Sequence, residues 1–532
     1  MKTTGWLWLL WLLLIAVLAL SASVNRLPAP GLVVLRVLPW VVVGLFVAAL
    51  ASWWPEGTRS GLSLFGGIVL LFEAAKGIFQ VLGWEASRHA AFSLTGSFDN
   101  PGPYGGFIAA TASLVLARMI RHRPAGRALR ILFGAALFLG LCVLPATLSR
   151  TAWLALLCGA FAALCTSSAW SRISGWMHRH TGCALLLAAA ALLLGTGAWF
   201  LKRDSAMGRL HIWGIECLSI LEHPFPGAGP GLEMGAYGMA QEHFYEHREI
   251  TNAAVEVAGC PEYAFNEYLR LGMQGGVGAM LLAGGLLVLT LMKLFKTAPE
   301  LACGLTSWSV FAFASYPLSV PLHCCFAAVC FGFALAGEGR TGRMTTTVLA
   351  CLMLLAWLAG LPRARAVRSA GRAWKEASQL GRWGDYESLT AALEPLYPSL
   401  KDRFRYLYDL GYGFHREGRY AASDSILTEG LRYSSDPMFL NIMGKNAEAR
   451  GLVGDAEALY LRSIHRVPCR LYPRLLLSRL YLRAGRPDAA LETARAALAL
   501  PVHPRHALMQ DLHVQLEAVA DSARTDAKQD EP

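Results

Sequence analysis

Two arginines, Arg150 and Arg209, and a cluster of Asn266, Glu267 and Arg270 stand at the edges of apolar stretches. A guanidinium matches phosphate oxygens bidentately, so Arg150, Arg209 and Arg270 suit a diphosphate or other phosphate group held beside a membrane cavity. An arginine at or near membrane depth is costly and marks a functional site by default. A carboxylate alongside, Glu267, could take a proton from an attacking hydroxyl, with Asn266 and His211 as further polar groups for that chemistry. Asn266 and Arg270 are four apart and share a helical face, with Glu267 adjacent. The run GAGPG, with Gly229 at its centre, could cradle phosphate through backbone N–H groups. It follows no strand and lacks Lys-Ser/Thr, so it is not a nucleotide P-loop. Neither HExxH nor an Asp-rich DxD occurs, and the expected chemistry needs no metal or other cofactor.

These residues fall in four polar stretches: TGSFDNPGPYGGFIAA (95–110), TLSRTAWLAL (147–156), SAMGRLHIWGIECLSILEHPFPGAGPGLEMGAYG (205–238) and CPEYAFNEYLRLGMQGGVGAM (260–280). Each also has a plainer reading. Asp99 or Asn100 could simply cap a helix. Arg150 could snorkel to the interface. The glycine run could be a loop packed closely on the membrane face. The last cluster could be a charged helix start. Trp213, Ile215, Leu218 and Leu221 read as an amphipathic interfacial helix.

The elements that must position these stretches are membrane helices. The 532 residues are 55% hydrophobic and only 16% charged, against about a quarter charged in soluble domains. The net charge of +11 is spread in short clusters between apolar runs rather than in one basic stripe, which excludes a nucleic-acid binder. About eleven segments have spanning length, roughly 6–24, 32–52, 60–82, 102–120, 128–147, 150–168, 182–201, 272–294, 301–316, 319–337 and 344–361, the first read as uncleaved. The basic loops 118–130, 171–180, 293–300 and 337–343 alternate on one side, which places them and the N-terminus in the cytoplasm. The loop 202–262 and the tail after 362 are then external, although the arginines of LPRARAVRSAGR count against it. Cys217 and Cys260 in that loop could pair there or stay free.

The tail, 363–532, is charged and amphipathic. Three stretches repeat a helix, a glycine turn and an Ala-rich helix, with turn glycines expected at Gly418, Gly454 and Gly485. Their spacing brackets the tetratricopeptide period of about 34 residues, and such paired helices leave a concave surface for a protein partner.

The four motifs, in this order and membrane spacing, resemble the O-antigen ligase and polymerase superfamily of bacterial envelope glycosyltransferases over about residues 1–360. The resemblance implies an all-α chain: a polytopic helical bundle of the GT-C type (1–362), followed by a tetratricopeptide-like solenoid (363–532). It implies an inner-membrane enzyme moving a glycan from an undecaprenyl-diphosphate carrier to lipid A–core, to a growing polysaccharide or to a protein hydroxyl. Arg150 and Arg209 match the family's arginines, which implies diphosphate binding. The family's A-H-N-x-x-L reads Ala264-Phe265-Asn266 here, so the proton-accepting histidine is replaced by Phe265. That role moves to Glu267, with His211 and His243 as alternatives. The competing expectation is a non-enzymatic exporter or scaffold, for which the arginines would be dispensable.

Overall fold

The computed structural model describes residues 2–121, 126–168, 170–182, 203–248, 257–500 and 507–529, and every regular element among them is helical. Helices α1 (Lys2–Val24), α2 (Pro30–Trp53), α3 (Pro55–Val81), α4 (Pro101–Arg121) and α5 (Arg127–Ala146) are followed by α6 (Arg150–Cys165) and α7 (Trp170–Arg179). The loop region carries α8 (Arg203–Glu222) and α9 (Glu233–Glu246). Then come α10 (Glu267–Thr297), α11 (Pro299–Ala312), α12 (Pro321–Ala334) and α13 (Gly339–Trp383).

Among the described residues, seven of these (α1–α5, α10 and α13) are long and apolar enough to cross a membrane; α6 with α7, bent by 98°, would make an eighth. Eleven were expected. The expected span at 182–201 lies, from residue 183 on, outside the described residues. The other two, at 301–316 and 319–337, are helices of only 14 residues, short of the ~20 that a bilayer core requires. Proline at 299, 317 and 321 and the turn between them cut these apolar runs.

The core is built round α4, whose small residues let neighbours approach closely. A Cβ on Gly106 would lie 2.5 Å from the Phe311 ring, and one on Gly159 would lie 2.3 Å from Ser113 Oγ. Pro101 opens α4, and Asn100 Oδ1 accepts from Gly102 N at 2.9 Å, as the capping reading expected.

Contacts sort the connections into two ends. At one end Glu300, fully buried, accepts from Arg59 at 2.7 Å with Arg118 at 3.7 Å. Lys293 reaches Thr4 there at 2.6 Å. At the other end lie Asn25, the 95–100 turn, Thr151, α8, α9 and the 313–320 turn, and the tail docks on them: Arg432 donates to the Asn25 carbonyl at 2.7 Å, and Arg36 pairs with Asp402.

The expected boundary at 362–363 falls inside α13, a single helix of 45 residues with Pro362 in its interior, about 68 Å long. The tail continues with α14 (Tyr386–Leu393), α15 (Phe404–Arg416), α16 (Tyr420–Leu431), α17 (Met438–Ala449), α18 (Val453–Arg466), α19 (Leu471–Arg483), α20 (Pro487–Leu498) and α21 (Ala507–Gln529). Gly384, Gly418, Gly451 and Gly485 all take positive φ. At each, the glycine N–H returns to the carbonyl three residues back, and the next N–H to the carbonyl five residues back. This is a Schellman stop, which a left-handed glycine permits without a Cβ clash. The turn residue of the middle unit is therefore Gly451; Gly454 lies inside α18. The corrected spacing is 34, 33 and 34 residues.

Candidate active site

The start of α10 is held by its own sequence. Asn266 takes an extended conformation, and its Oδ1 accepts from Tyr268 N at 3.0 Å and Leu269 N at 3.2 Å, capping the helix. Glu267 is 2% exposed. Its Oε1 accepts from Leu318 N at 2.7 Å and its Oε2 from Arg270 Nη1 at 2.9 Å. Arg270 also donates through Nε to Glu233 Oε1 at 3.0 Å and through Nη1 to Ser319 Oγ at 3.2 Å. Glu267 and Arg270 thus clamp α10 to the head of α9 and to the 317–319 turn. Glu267, the expected base, and Arg270, an expected phosphate-binding group, thus both stand in a network of bonds within the chain. Both Glu267 oxygens are occupied, and Arg270 spends Nε and Nη1 on Glu233, Glu267 and Ser319, so moving either group onto a substrate would break bonds within this clamp.

Helix α8 decides which of its polar residues face this cluster. At 100° per residue, Arg209, Trp213, Glu216 and Ile220 fall within a narrow stripe, and His211 lies about 200° from Arg209. The stripe runs along the start of α10. Trp213 Nε1 donates to the Phe265 carbonyl at 3.2 Å, and a Cβ on Gly272 would lie 2.7 Å from Ile220. Arg209 Nη1 donates to Thr151 Oγ1 at 3.0 Å, and its guanidinium stands 5.8 Å from the centroid of Phe265. Burial, and then the adjacent Arg150 charge, lowers Arg209 below its ordinary pKa. The structure therefore brings Arg150 and Arg209 together, from the tip of α6 and the face of α8.

His211 points the other way. Its Nε2 lies 3.4 Å from Tyr245 Oη, and its ring meets Phe244. Burial lowers its pKa, and a hydrogen bond with Gln241 opposes that. It belongs to the α8–α9 packing, not to the arginine pair. His243 is exposed and faces Glu222 at 3.2 Å. The interfacial-helix reading of α8 also changes: Ile215, Glu216 and Ile220 are buried, while Leu221 is 71% exposed.

Gly229 does not hold an open N–H. Helix α10 breaks at Gly275 and Gly276, where Gly276 has φ +73°. The glycine run fills that break. Ala228 N donates to Met273 O at 2.7 Å, Gly229 N to Gln274 O at 3.1 Å, and Val277 N to Pro224 O at 3.1 Å. A Cβ on Gly227 would lie 2.5 Å from Gly276 N, so both glycine runs are needed for backbone to meet backbone. The close-packing reading of this run is the one that fits.

Around the arginine pair lies an aromatic rim that sequence reasoning missed. Tyr263 and Tyr316 stack at 4.2 Å, and Phe265 meets Tyr316 edge-on at 5.5 Å. Asp99, exposed on the 95–100 turn, acts electrostatically on both tyrosines. Glu216, fully buried, has both oxygens without a hydrogen-bond partner among the described residues. Burial and then the Glu267 carboxylate push it up to about 9, so it is neutral. The arginine-to-isoleucine spacing on α8 was a readable signal for Trp213 and Glu216; Tyr316 lay hidden at the end of an apolar run. Among the described residues no three His, Cys, Asp or Glu side chains gather as a metal site.

No curated protein matches the chain. Residues 135–284 match the O-antigen ligase family, a segment that runs from α5 into α10 and contains Arg150, Arg209, Phe265, Glu267 and Arg270. That match, on an all-helical chain with several spanning helices, supports membership of the O-antigen ligase superfamily and a membrane glycan-transfer role in envelope polysaccharide assembly.

Proposed function

We propose that the chain is an inner-membrane glycosyltransferase using an undecaprenyl-diphosphate-linked glycan as donor and a hydroxyl of lipid A–core, a polysaccharide or a protein as acceptor. The observation that carries this reading is the approach of Arg150 and Arg209, anchored by the bond from Arg209 to Thr151. Two guanidinium groups brought near one another from separate helices offer a diphosphate positive charge and bidentate donors together. The acceptor oxygen attacks the anomeric carbon. The bond from that carbon to the diphosphate breaks, and its electron pair leaves on the diphosphate oxygen. The two guanidinium groups spread the charge that develops there, an electrostatic role that commonly dominates such catalysis.

The hydroxyl proton needs a base. Phe265 cannot serve, and Glu267 is committed to Arg270 and Leu318 N. Asp99, exposed beside the Tyr263–Tyr316 stack, takes that role in our reading, and the apolar faces of those rings pack against a sugar. The end bearing these residues faces the periplasm, and the four-fold recurrence in the tail supports a tetratricopeptide-like solenoid that receives a protein partner.

The test is a knockout complemented with Arg150→Ala and Arg209→Ala, followed by gel profiling of lipopolysaccharide and glycoproteins together. Both variants should lose glycan transfer while remaining in the membrane. Full activity in both defeats the proposal and favours the exporter or scaffold. In the knockout itself, loss of ladders, a ladder reduced to one rung, or loss of glycoprotein staining distinguishes ligase, polymerase and protein transferase.

A further inference from the structure

The segment leading into Phe265 is pinned to the tail along a short seam. Ser435 Oγ donates to the Pro261 carbonyl at 3.1 Å. Cys469 Sγ donates to the Ala258 carbonyl at 3.3 Å, two residues from Cys260. The next residue of the tail, Arg470, reaches Cys260 Sγ through Nη2 at 3.7 Å. Cys260 and Cys469, more than two hundred residues apart in the chain, are thereby brought into one neighbourhood, where Cys260 acts electrostatically on Cys469. Both are free thiols, and both are partly accessible. Cys217, which could have paired with Cys260 or stayed free, is exposed on α8 beside Glu216.

We propose that Cys260 and Cys469 form a disulfide that staples the loop to the tail. This rests on the reading that puts both segments outside the cytoplasm, where disulfides form and persist. Burial raises both thiols and the Arg470 guanidinium opposes that at both; Cys260, which Arg470 touches directly, is the attacking sulfur in this scheme. The Cys260 thiolate attacks the disulfide of an external protein disulfide donor, giving a mixed disulfide and releasing one donor thiolate. The Cys469 thiolate then attacks the Cys260 sulfur and releases the second. Two protons and two electrons pass to the donor, which leaves as a dithiol. The staple fixes the approach to Phe265, over which Arg209 lies.

The experiment uses the full chain in membranes. Free thiols are blocked with N-ethylmaleimide, the sample is reduced, and newly exposed thiols receive a second maleimide of different mass before peptide mapping. A reporter fused after residue 370 reads the side of the tail in the same strain. The expected result is second-label incorporation at Cys260 and Cys469, and first-label incorporation at Cys469 in Cys260→Ser and at Cys260 in Cys469→Ser. First-label incorporation at both in the unaltered chain overturns the staple. If the reporter then places the tail outside, the staple alone fails; if inside, it fails together with the orientation.

Discussion

Removing the carboxylate of Glu242 should loosen the tail from the loop. Glu242 lies on α9, and its Oε1 accepts from Arg462 Nε at 2.5 Å; its Oε2 lies 3.0 Å from Arg466 Nη2 and 3.2 Å from Nε. Arg466, on α18, is 1% exposed, and its Nη1 has no hydrogen-bond partner among the described residues. Glu242→Ala leaves that guanidinium buried without the carboxylate it is bonded to, with only the more distant Asp436 charge acting on it, which costs about 3 kcal/mol, the low end for a broken buried pair. Arg462 is 47% exposed and adds no more than about 1 kcal/mol. A loss of about 3 kcal/mol raises the opening equilibrium of the seam more than a hundredfold, at ~1.4 kcal/mol per factor of ten. Amide hydrogen exchange on the detergent-solubilised protein reads this directly: protection in α9 and α18 should fall by that factor, with α4 unaffected. The double variant Glu242→Leu with Arg466→Leu removes both charges and should recover most of the protection. Protection within threefold of wild type in the single variant refutes the reasoning, as does a double variant no better than the single.

Arg209→Ala should lower glycan transfer by about 10²–10³-fold. Arg209→Lys should restore only part of it, since an ammonium cannot grip a diphosphate bidentately; in vitro transfer rates at matched membrane abundance check both. Arg270→Ala should instead lower the thermal midpoint, because it breaks the clamp among Glu267, Glu233 and Ser319; an unchanged midpoint would contradict that role. Gly276→Ala puts a Cβ 2.3 Å from the Pro224 carbonyl at φ +73° and should cost more than about 1 kcal/mol, read from the same midpoint. The neutral Glu216, pushed up to about 9, keeps in the fold a proton that the unfolded chain loses near its ordinary 4.5. Its stability contribution is complete below that lower value and is lost as pH rises toward 9, by at most about 1.4 kcal/mol per pH unit. Glu216→Gln should flatten the decline; midpoints that run parallel to wild type from pH 5 to 9 would rule it out.

Much of this protein is legible in the residue order. The apolar runs and the helical tail follow from local patterns: span length, basic loops and helical periodicity. The repeat was visible too, but its middle turn was misplaced on Gly454, because sequence spacing alone does not say which of two nearby glycines, Gly451 or Gly454, adopts positive φ. The site was less legible. Glu267 and Arg270 look like reactive groups beside a membrane helix, yet each is consumed by a partner from elsewhere in the chain, Leu318 and Glu233. Gly229 looks like a phosphate cradle, yet its N–H is spent on the broken turn of α10.

Residue order alone therefore determined that the chain is helical and membrane-bound, and which groups carry charge at the ends of its spans. Periodicity and hydropathy are local properties, readable without knowing what packs against what. Only the tertiary structure decided which charges are bonded within the chain, that Arg150 and Arg209 come near one another, and that Cys260 faces the tail. Hydrogen bonds and desolvation depend on neighbours hundreds of residues away, and those neighbours exist only once the chain is packed.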